Sequence, residues 1–321
     1  MDILVVLEDL NGKIHRLSLE AIVGAQKLSA SQNLNIVALA IGSNANELAS
    51  QAAQCDIDKV LKVTNDLVSD YSSDGYTEVV RQIIDRDSPK YIFFGHTYQV
   101  RDYAPKLSAK LMKPLLADTI ALEVNGDTVV TTKQMYNAKL LSNVTALKDP
   151  PYLVSFQSAA FNSDNIISGS AQIEECDISF DSFLIKTQSE EPFKESSEDL
   201  DLSSADLIVS VGRGIGDEQN ISLAKDLAAT IGADLSSSRP VVDSGWLPSV
   251  HQVGSSGQSV SPKMYLALGI SGAIQHVVGM KASKNIVAIN KDPDAPIFDL
   301  ADYGVVGDLL EILPKLNEAL K

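Results

Sequence analysis

The sequence predicts an α/β protein of two domains, and three observations predict it. Short apolar runs alternate with helical patterns through the first half of the chain. An acidic, Ser-rich stretch nearly without apolar residues, Thr187–Asp201, then interrupts the pattern. A second strand–helix series begins directly after it. Alternation of this kind gives a mostly parallel sheet joined by right-handed crossovers.

The elements follow in order. Ile3–Leu7, Ile36–Ile41, Val60–Val63 and Tyr91–Phe94 are apolar throughout, as strands covered on both faces are. Tyr76, Val79, Val80, Ile83 and Ile84 form the stripe of an amphipathic helix. Asp87-Ser88-Pro89 ends that helix. From about residue 116 to 185 the pattern changes. Val129–Thr132, Tyr152–Phe156 and Ile166–Ile173 read as strands with no helix between them, which predicts an antiparallel extension of the first domain. The boundaries expected are 1–186 for the first domain, 187–204 for an exposed acidic linker, and 205–321 for the second domain.

The second series opens with the strand Leu207–Val211 and a helix burying Ala224, Leu227, Ala228 and Ile231. A short strand Ala233–Leu235 follows, then strands at Met264–Leu268 and Ile286–Ile289. The last helix is expected from near Val305, burying Val306, Leu309, Leu310 and Leu313, with Pro314 kinking it or starting a new turn.

Composition limits the function classes. The 321 residues are 45% hydrophobic and 21% charged, a globular balance. With 42 acidic against 26 basic side chains the net charge is −16, so nucleic acid and anionic lipid are poor partners. Any phosphate must be held by backbone amides and a few placed cations. Cys55 and Cys176 form no CxxC pair, so neither a disulfide framework nor a metal site is expected. The start runs straight into a strand without a basic region or presequence, and no apolar run reaches the roughly 18 residues of a membrane span. The expectation is a cytoplasmic protein with no stable membrane insertion.

Several segments of the second domain carry polar groups where strands end. Gly212-Arg213-Gly214-Ile215-Gly216 lets backbone amides approach a phosphate at a helix start, although it lacks the G-x-G-x-x-G spacing and also suits an ordinary tight turn. Arg213 within it suits a pyrophosphate or a flavin face. Ser238 and Arg239 precede Pro240, which predicts an extended Arg239 with an aimed side chain, against a plain surface turn. Gln252, Val253, Gly254, Ser255, Ser256 and Gly257 form a Gly/Ser loop able to bring amides and hydroxyls to a polar edge, and its spacing alone favours an ordinary loop. In Gly269-Ile270-Ser271-Gly272-Ala273-Ile274-Gln275-His276 a strand runs into a helix start, where Ser271 is expected to cap the helix. His276 there can hydrogen-bond a ring that turns anionic on reduction. The stretch lacks the final glycine of a nucleophile elbow, and no His–Asp pair completes a triad. Asn290 ends a strand where open sheets bind ligands, and Asp308 and Leu309 begin the last helix.

Together Gly212-Arg213-Gly214, Ser238-Arg239, Gln252-Val253-Gly254, GISGAIQH (269–276), IVAIN (286–290) and DPDAPIFDLADYGVVGDL (292–309) resemble the alpha subunit of electron-transfer flavoproteins. The resemblance covers about 205–321 in order and spacing, with weaker motifs before it. It implies an N-terminal adenine-nucleotide-hydrolase-like domain and a C-terminal Rossmann-like domain that binds FAD. It also implies a heterodimer with a beta subunit, and a redox carrier taking electrons from flavin dehydrogenases to an acceptor such as a quinone oxidoreductase, through an anionic semiquinone. Carried over by position, Arg213, Ser238, Arg239, Val253 to Ser256, Ser271 to His276, Asn290, Asp308 and Leu309 line the FAD, with Gln252 beside them. Arg239, Ser256 and His276 tune the flavin: Arg239 near its reactive part, the Ser256 hydroxyl at the ring, and His276 at the pyrimidine edge. Where many relatives read Gln-Thr-Gly, this chain has Ser255-Ser256-Gly257, which keeps the hydroxyl and loses the longer amide. No glycine-rich loop follows the first strand, where Glu8-Asp9 stand, so the N-terminal domain is expected to dock the partner without holding a nucleotide. Two other readings remain at this point, a pyridine-nucleotide oxidoreductase and a non-catalytic nucleotide sensor.

Overall fold

The computed structural model describes residues 1–126, 128–136, 139–147, 149–187, 189 and 200–320. Most of the expected acidic linker lies outside the described residues. The chain divides into two compact units: Met1–Met135 with Leu141–Pro192, and Phe193–Lys321 with Tyr136–Leu140.

The first unit contains β1 (Ile3–Val6), a small antiparallel pair β2 (Asp9–Leu10) and β3 (Lys13–Ile14), and α1 (Arg16–Gln32). It continues through β4 (Ile36–Ile41), α2 (Ala45–Ala52), β5 (Lys59–Val63), α3 (Ser73–Asp87), β6 (Tyr91–Gly95) and α4 (Tyr98–Leu111). Then come β7 (Leu115–Asn125), β8 (Thr128–Met135), β9 (Leu140–Thr145), β10 (Tyr152–Phe156) and β11 (Gln172–Glu175). One nine-stranded sheet runs β11-β5-β4-β1-β6-β10-β7-β8-β9. Every residue of β1, β4, β6 and β10 is buried, because helices cover both faces of this central region. The apolar alternation splits accordingly. Ile3, Val5 and Ala38 join one core with Ile22 of α1, while Leu4, Val37 and Leu39 join another with Val80 and Ile83 of α3. The expected stop after α3 is a left-handed Ser88 (φ 47°) whose N–H donates to the Ile84 carbonyl.

The expected antiparallel extension is only partly present. β8 pairs antiparallel with β7, but Tyr152–Phe156 lies between β6 and β7 and pairs parallel with both. Its five buried residues need cover on two faces, which only the sheet interior provides. Ile166–Ile173 is not one strand either. Gln26 of α1 donates to the Ile167 carbonyl (2.9 Å) and accepts from its N–H (3.0 Å), so the backbone there is satisfied by a side chain. The strand is confined to Gln172–Glu175, parallel to β5.

The second unit is a doubly wound sheet of five parallel strands: β12 (Leu207–Val211), β13 (Asp234–Ser237), β14 (Met264–Leu268), β15 (Ile286–Asn290) and β16 (Tyr303–Val306), in the order β13-β12-β14-β15-β16. Helices α5 (Ile221–Ile231) and α8 (Leu309–Ala319) pack together with Val209, Val211 and Leu268 in one core. Ile208, Tyr265, Ala267 and Ala288 point into the other. Short helices α6 (Arg239–Asp243) and α7 (Ile274–Val277) follow β13 and β14.

Three expectations are corrected here. The last helix begins at Leu309, not near Val305. Tyr303–Val306 is an exposed edge strand, and Leu310 is exposed too, leaving Leu309 and Leu313 as the buried pair. Asp308 caps α8, its Oδ1 accepting the Leu310 N–H at 2.9 Å, and the β-branched pair before it suits an edge strand. Ser271 does not cap α7, whose N-cap is Ala273. Arg239 is not extended but is the first residue of α6; Ser238 supplies the extended conformation one position earlier (ψ 156°). Among the described residues no helix is long and apolar enough to cross a membrane.

Candidate functional site

Five parallel strands send their carboxyl ends to one edge of the second sheet. The candidate segments leave from those ends: Gly212-Arg213 after β12, Ser238-Arg239 after β13, Gly269 to His276 after β14, Asn290 closing β15, and Asp308 soon after β16. The chain reverses direction across the sheet at β12, whose neighbours β13 and β14 lie on opposite sides. A crevice opens outside the strand ends at such a switch point.

The two loops flanking the switch touch backbone to backbone. A Cβ on Gly214 would stand 2.7 Å from the Cα of Gly269, and one on Gly212 would overlap the Gly269 carbonyl. Gly269 itself has φ +63°, in the left-handed region. The glycines are therefore required for loop contact as well as for freedom of backbone. Gly212 N–H donates to the Leu268 carbonyl (2.8 Å) and Gly214 N–H to that of Gly269 (3.0 Å).

Around this contact the predicted residues sort by exposure. Arg213, Arg239, Ser256, Ser271, Ala273, Ile274, Gln275 and Asp308 are exposed. The Arg213 side chain has no partner among the described residues. Among the described residues Arg239 meets only Asp243, at 3.3 Å and with both side chains in solvent, a pair too weakly held to keep the guanidinium from a ligand. Ser256 Oγ accepts from Gln252 Nε2 at 2.9 Å, leaving its own proton free to donate. Asn290 Nδ2 donates to the Ile270 carbonyl at 3.0 Å and so braces the β14 loop from the neighbouring strand. The Ile297 N–H does the same at the Ser271 carbonyl (3.1 Å).

Other candidates are buried. Ser238, Gln252, Val253, Gly254, Gly272, His276 and Leu309 have little exposed surface, and Ser255 is intermediate. The Val253 and Leu309 side chains belong to the cores, so only their main chains are available to a ligand. Gly254 (φ +140°) lies against α7; a Cβ there would stand 2.6 Å from the Gln275 carbonyl, which accepts the Ser255 N–H at 2.7 Å.

His276 is a neutral group in this setting. Burial pushes its pKa down to about 4, and the Val253 backbone carbonyl only partly offsets this, so the ring is neutral near pH 7. Its Nε2 meets the Tyr265 hydroxyl at 3.0 Å, and its buried Nδ1 has no hydrogen-bond partner. Tyr265 was not among the candidates, nor were Ser210 and Ser236, whose buried hydroxyls also lack hydrogen-bond partners. For Ser210 and Tyr265 the available signal was a polar side chain set in an otherwise apolar strand, LIVSV and MYLAL.

Glycine loops meeting at a switch point, exposed guanidinium, amide and hydroxyl groups, and one orphaned buried nitrogen fit a cofactor with phosphates and a polar-edged ring. The comparisons with known proteins agree. Residues 201–281 match the family model described as Electron transfer flavoprotein FAD-binding domain, and residues 3–181 that of the Electron transfer flavoprotein domain. The electron transfer flavoprotein subunit alpha of Thermoanaerobacterium thermosaccharolyticum is 36% identical over 100% of this chain and 98% of its own length. That of Bacillus subtilis is 36% identical over 99% of this chain and 97% of its own. A protein of Anaerotignum propionicum named Acryloyl-CoA reductase electron transfer subunit beta is 32% identical over 100% and 95%.

Proposed function

This chain belongs to the electron transfer flavoprotein family as an alpha subunit, and from that premise we propose that it holds one FAD along the carboxyl edge of its five-stranded sheet. The observation that carries this reading is the convergence of five strand ends on one edge of the sheet, where the glycine loops after β12 and β14 meet within the stretch, 201–281, that matches the FAD-binding domain. Once bound, the isoalloxazine supplies the electron transfer, chemistry that no side chain here provides. The chain's residues bind and orient it. Arg213 counters phosphate charge, since the amides of Gly212, Gly214, Ile215 and Gly216 already donate to backbone carbonyls. Arg239, Ser256 and the Ser271–His276 segment present donors where added electrons place negative charge. The neutral His276 acts as a hydrogen-bond donor and not as a cation.

The chain works as one half of a heterodimer with a beta subunit. We propose further that flavin dehydrogenases supply its electrons, that an acceptor such as a quinone oxidoreductase removes them, that the half-reduced cofactor is held as an anion, and that the carrier operates in the cytoplasm. Co-production with the beta subunit tests the central reading: the purified complex is expected to be yellow, with oxidised-flavin bands and FAD released on denaturation. A complex that stays colourless after incubation with excess FAD overturns it.

A further inference from the structure

Beneath the strand ends of the second sheet lies a line of buried polar groups, Ser210, Ser236, Tyr265 and His276. Ser210 and Ser236 are neighbours across the β12–β13 pair, directly in register. Both hydroxyls are buried without hydrogen-bond partners of their own. They lie close enough to the Tyr265 hydroxyl to favour its ionised form, although burial holds that phenol far above its usual range. Tyr265 is fully buried on β14, beside β12. Its hydroxyl is 3.0 Å from Nε2 of His276, and the two rings are 6.1 Å apart at 60°.

Four polar side chains in such a place are costly unless they satisfy one another. One arrangement of protons leaves no hydroxyl proton stranded: the serines turn theirs toward the phenol oxygen, and the phenol, with one proton, donates to the imidazole. A neutral imidazole that accepts at Nε2 carries its proton on Nδ1.

We propose that Tyr265 is a positioning residue for the cofactor site: backed by Ser210 and Ser236, its hydroxyl donates to Nε2 of His276, fixing the ring's orientation and placing its proton on Nδ1. The inference rests on the FAD reading above and deepens it. The proton then sits on Nδ1, which has no partner at hydrogen-bond distance among the described residues, so the ring's tautomer is set from the Tyr265 side. Tyrosine suits this better than a serine would, because its ring also fills the core around Ile208, Ala267 and Met280.

The test uses the complex with the beta subunit, labelled with ¹⁵N-histidine, the His276 signal being assigned by its loss in His276→Asn. The native ring is expected as a single neutral tautomer protonated on Nδ1. Tyr265→Phe, which keeps the packing and removes the hydroxyl, should give mixed tautomers and raise the FAD dissociation constant about threefold to tenfold, the worth of one hydrogen bond. The double variant Ser210→Ala, Ser236→Ala spares the aromatic ring and should shift the tautomer the same way by a smaller amount. A native ring protonated on Nε2 or charged at pH 7 overturns the proposal, as does an unchanged tautomer in Tyr265→Phe. A Tyr265-dependent tautomer in a complex that takes up no FAD would instead sink the cofactor reading and leave the Tyr–His contact standing.

Discussion

Arg239 illustrates what one residue at a strand end is free to do. Its only partner among the described residues is an exposed carboxylate one helical turn on, and such pairs contribute little to stability. Arg239→Lys should therefore leave the unfolding free energy within about 0.5 kcal/mol of the parent. It should nonetheless weaken FAD binding and lower the first-electron potential, because ammonium lacks the planar fork. Redox titration beside a denaturant melt checks both halves; an unchanged potential removes Arg239 from the flavin. The exposed candidates were legible because arginine and serine next to glycine at a strand end have few structural reasons to be there. His276 was legible as a residue but not as a charge state. Its neutrality comes from burial that no local pattern reveals, and the Val253 carbonyl, twenty-three positions away, only partly opposes it.

At the scale of elements, the strands that were plain in the sequence are those whose residues are buried on both faces. Ile36–Ile41, Leu207–Val211 and Met264–Leu268 have the expected bounds. Strand direction was harder. Tyr152–Phe156 has the composition of any inner strand, and whether it runs parallel is decided by long-range pairing with Tyr91–Gly95 and Leu115–Leu116. Val305 and Val306, expected in the last helix, end the edge strand Tyr303–Val306, whose residues are exposed and carry no burial period. The crevice depends on the loops between elements. Gly269→Ala combines a left-handed backbone with a collision against the Gly214 main chain. It is expected to destabilise the second unit by about 2 kcal/mol or more and to abolish FAD retention. Calorimetry with a flavin assay checks this, and a variant that melts and binds like the parent would show that the loops can move apart.

At the scale of the whole molecule, two α/β units share one principle: parallel strands with both faces covered. They differ in where polar groups are buried. In the first unit Glu20 of α1 is almost fully enclosed, accepting the Ala159 N–H at 2.7 Å with Arg16 at 3.5 Å. Burial raises its pKa from 4.5 to about 7, against the opposing pull of Arg16 and the backbone donors. A carboxyl raised on folding contributes stability that is fully present below about pH 4.5 and lost as pH rises through 7. The loss is of order 3 kcal/mol at most. Glu20→Gln should flatten that dependence, gaining stability relative to the parent at pH 8 and little at pH 4. Urea melts at the two pH values read this directly, and parallel curves for both proteins would mean the carboxyl titrates normally.

The five-stranded order has a consequence of scale. Adjacent strands lie about 4.8 Å apart, so four gaps make a ledge roughly 19 Å long. A mononucleotide laid on it would leave one end bare, whereas a stretched dinucleotide could touch every strand. A dinucleotide held there would meet different loops with its two halves, so a change at one end of the sheet would be felt by one half of the cofactor first.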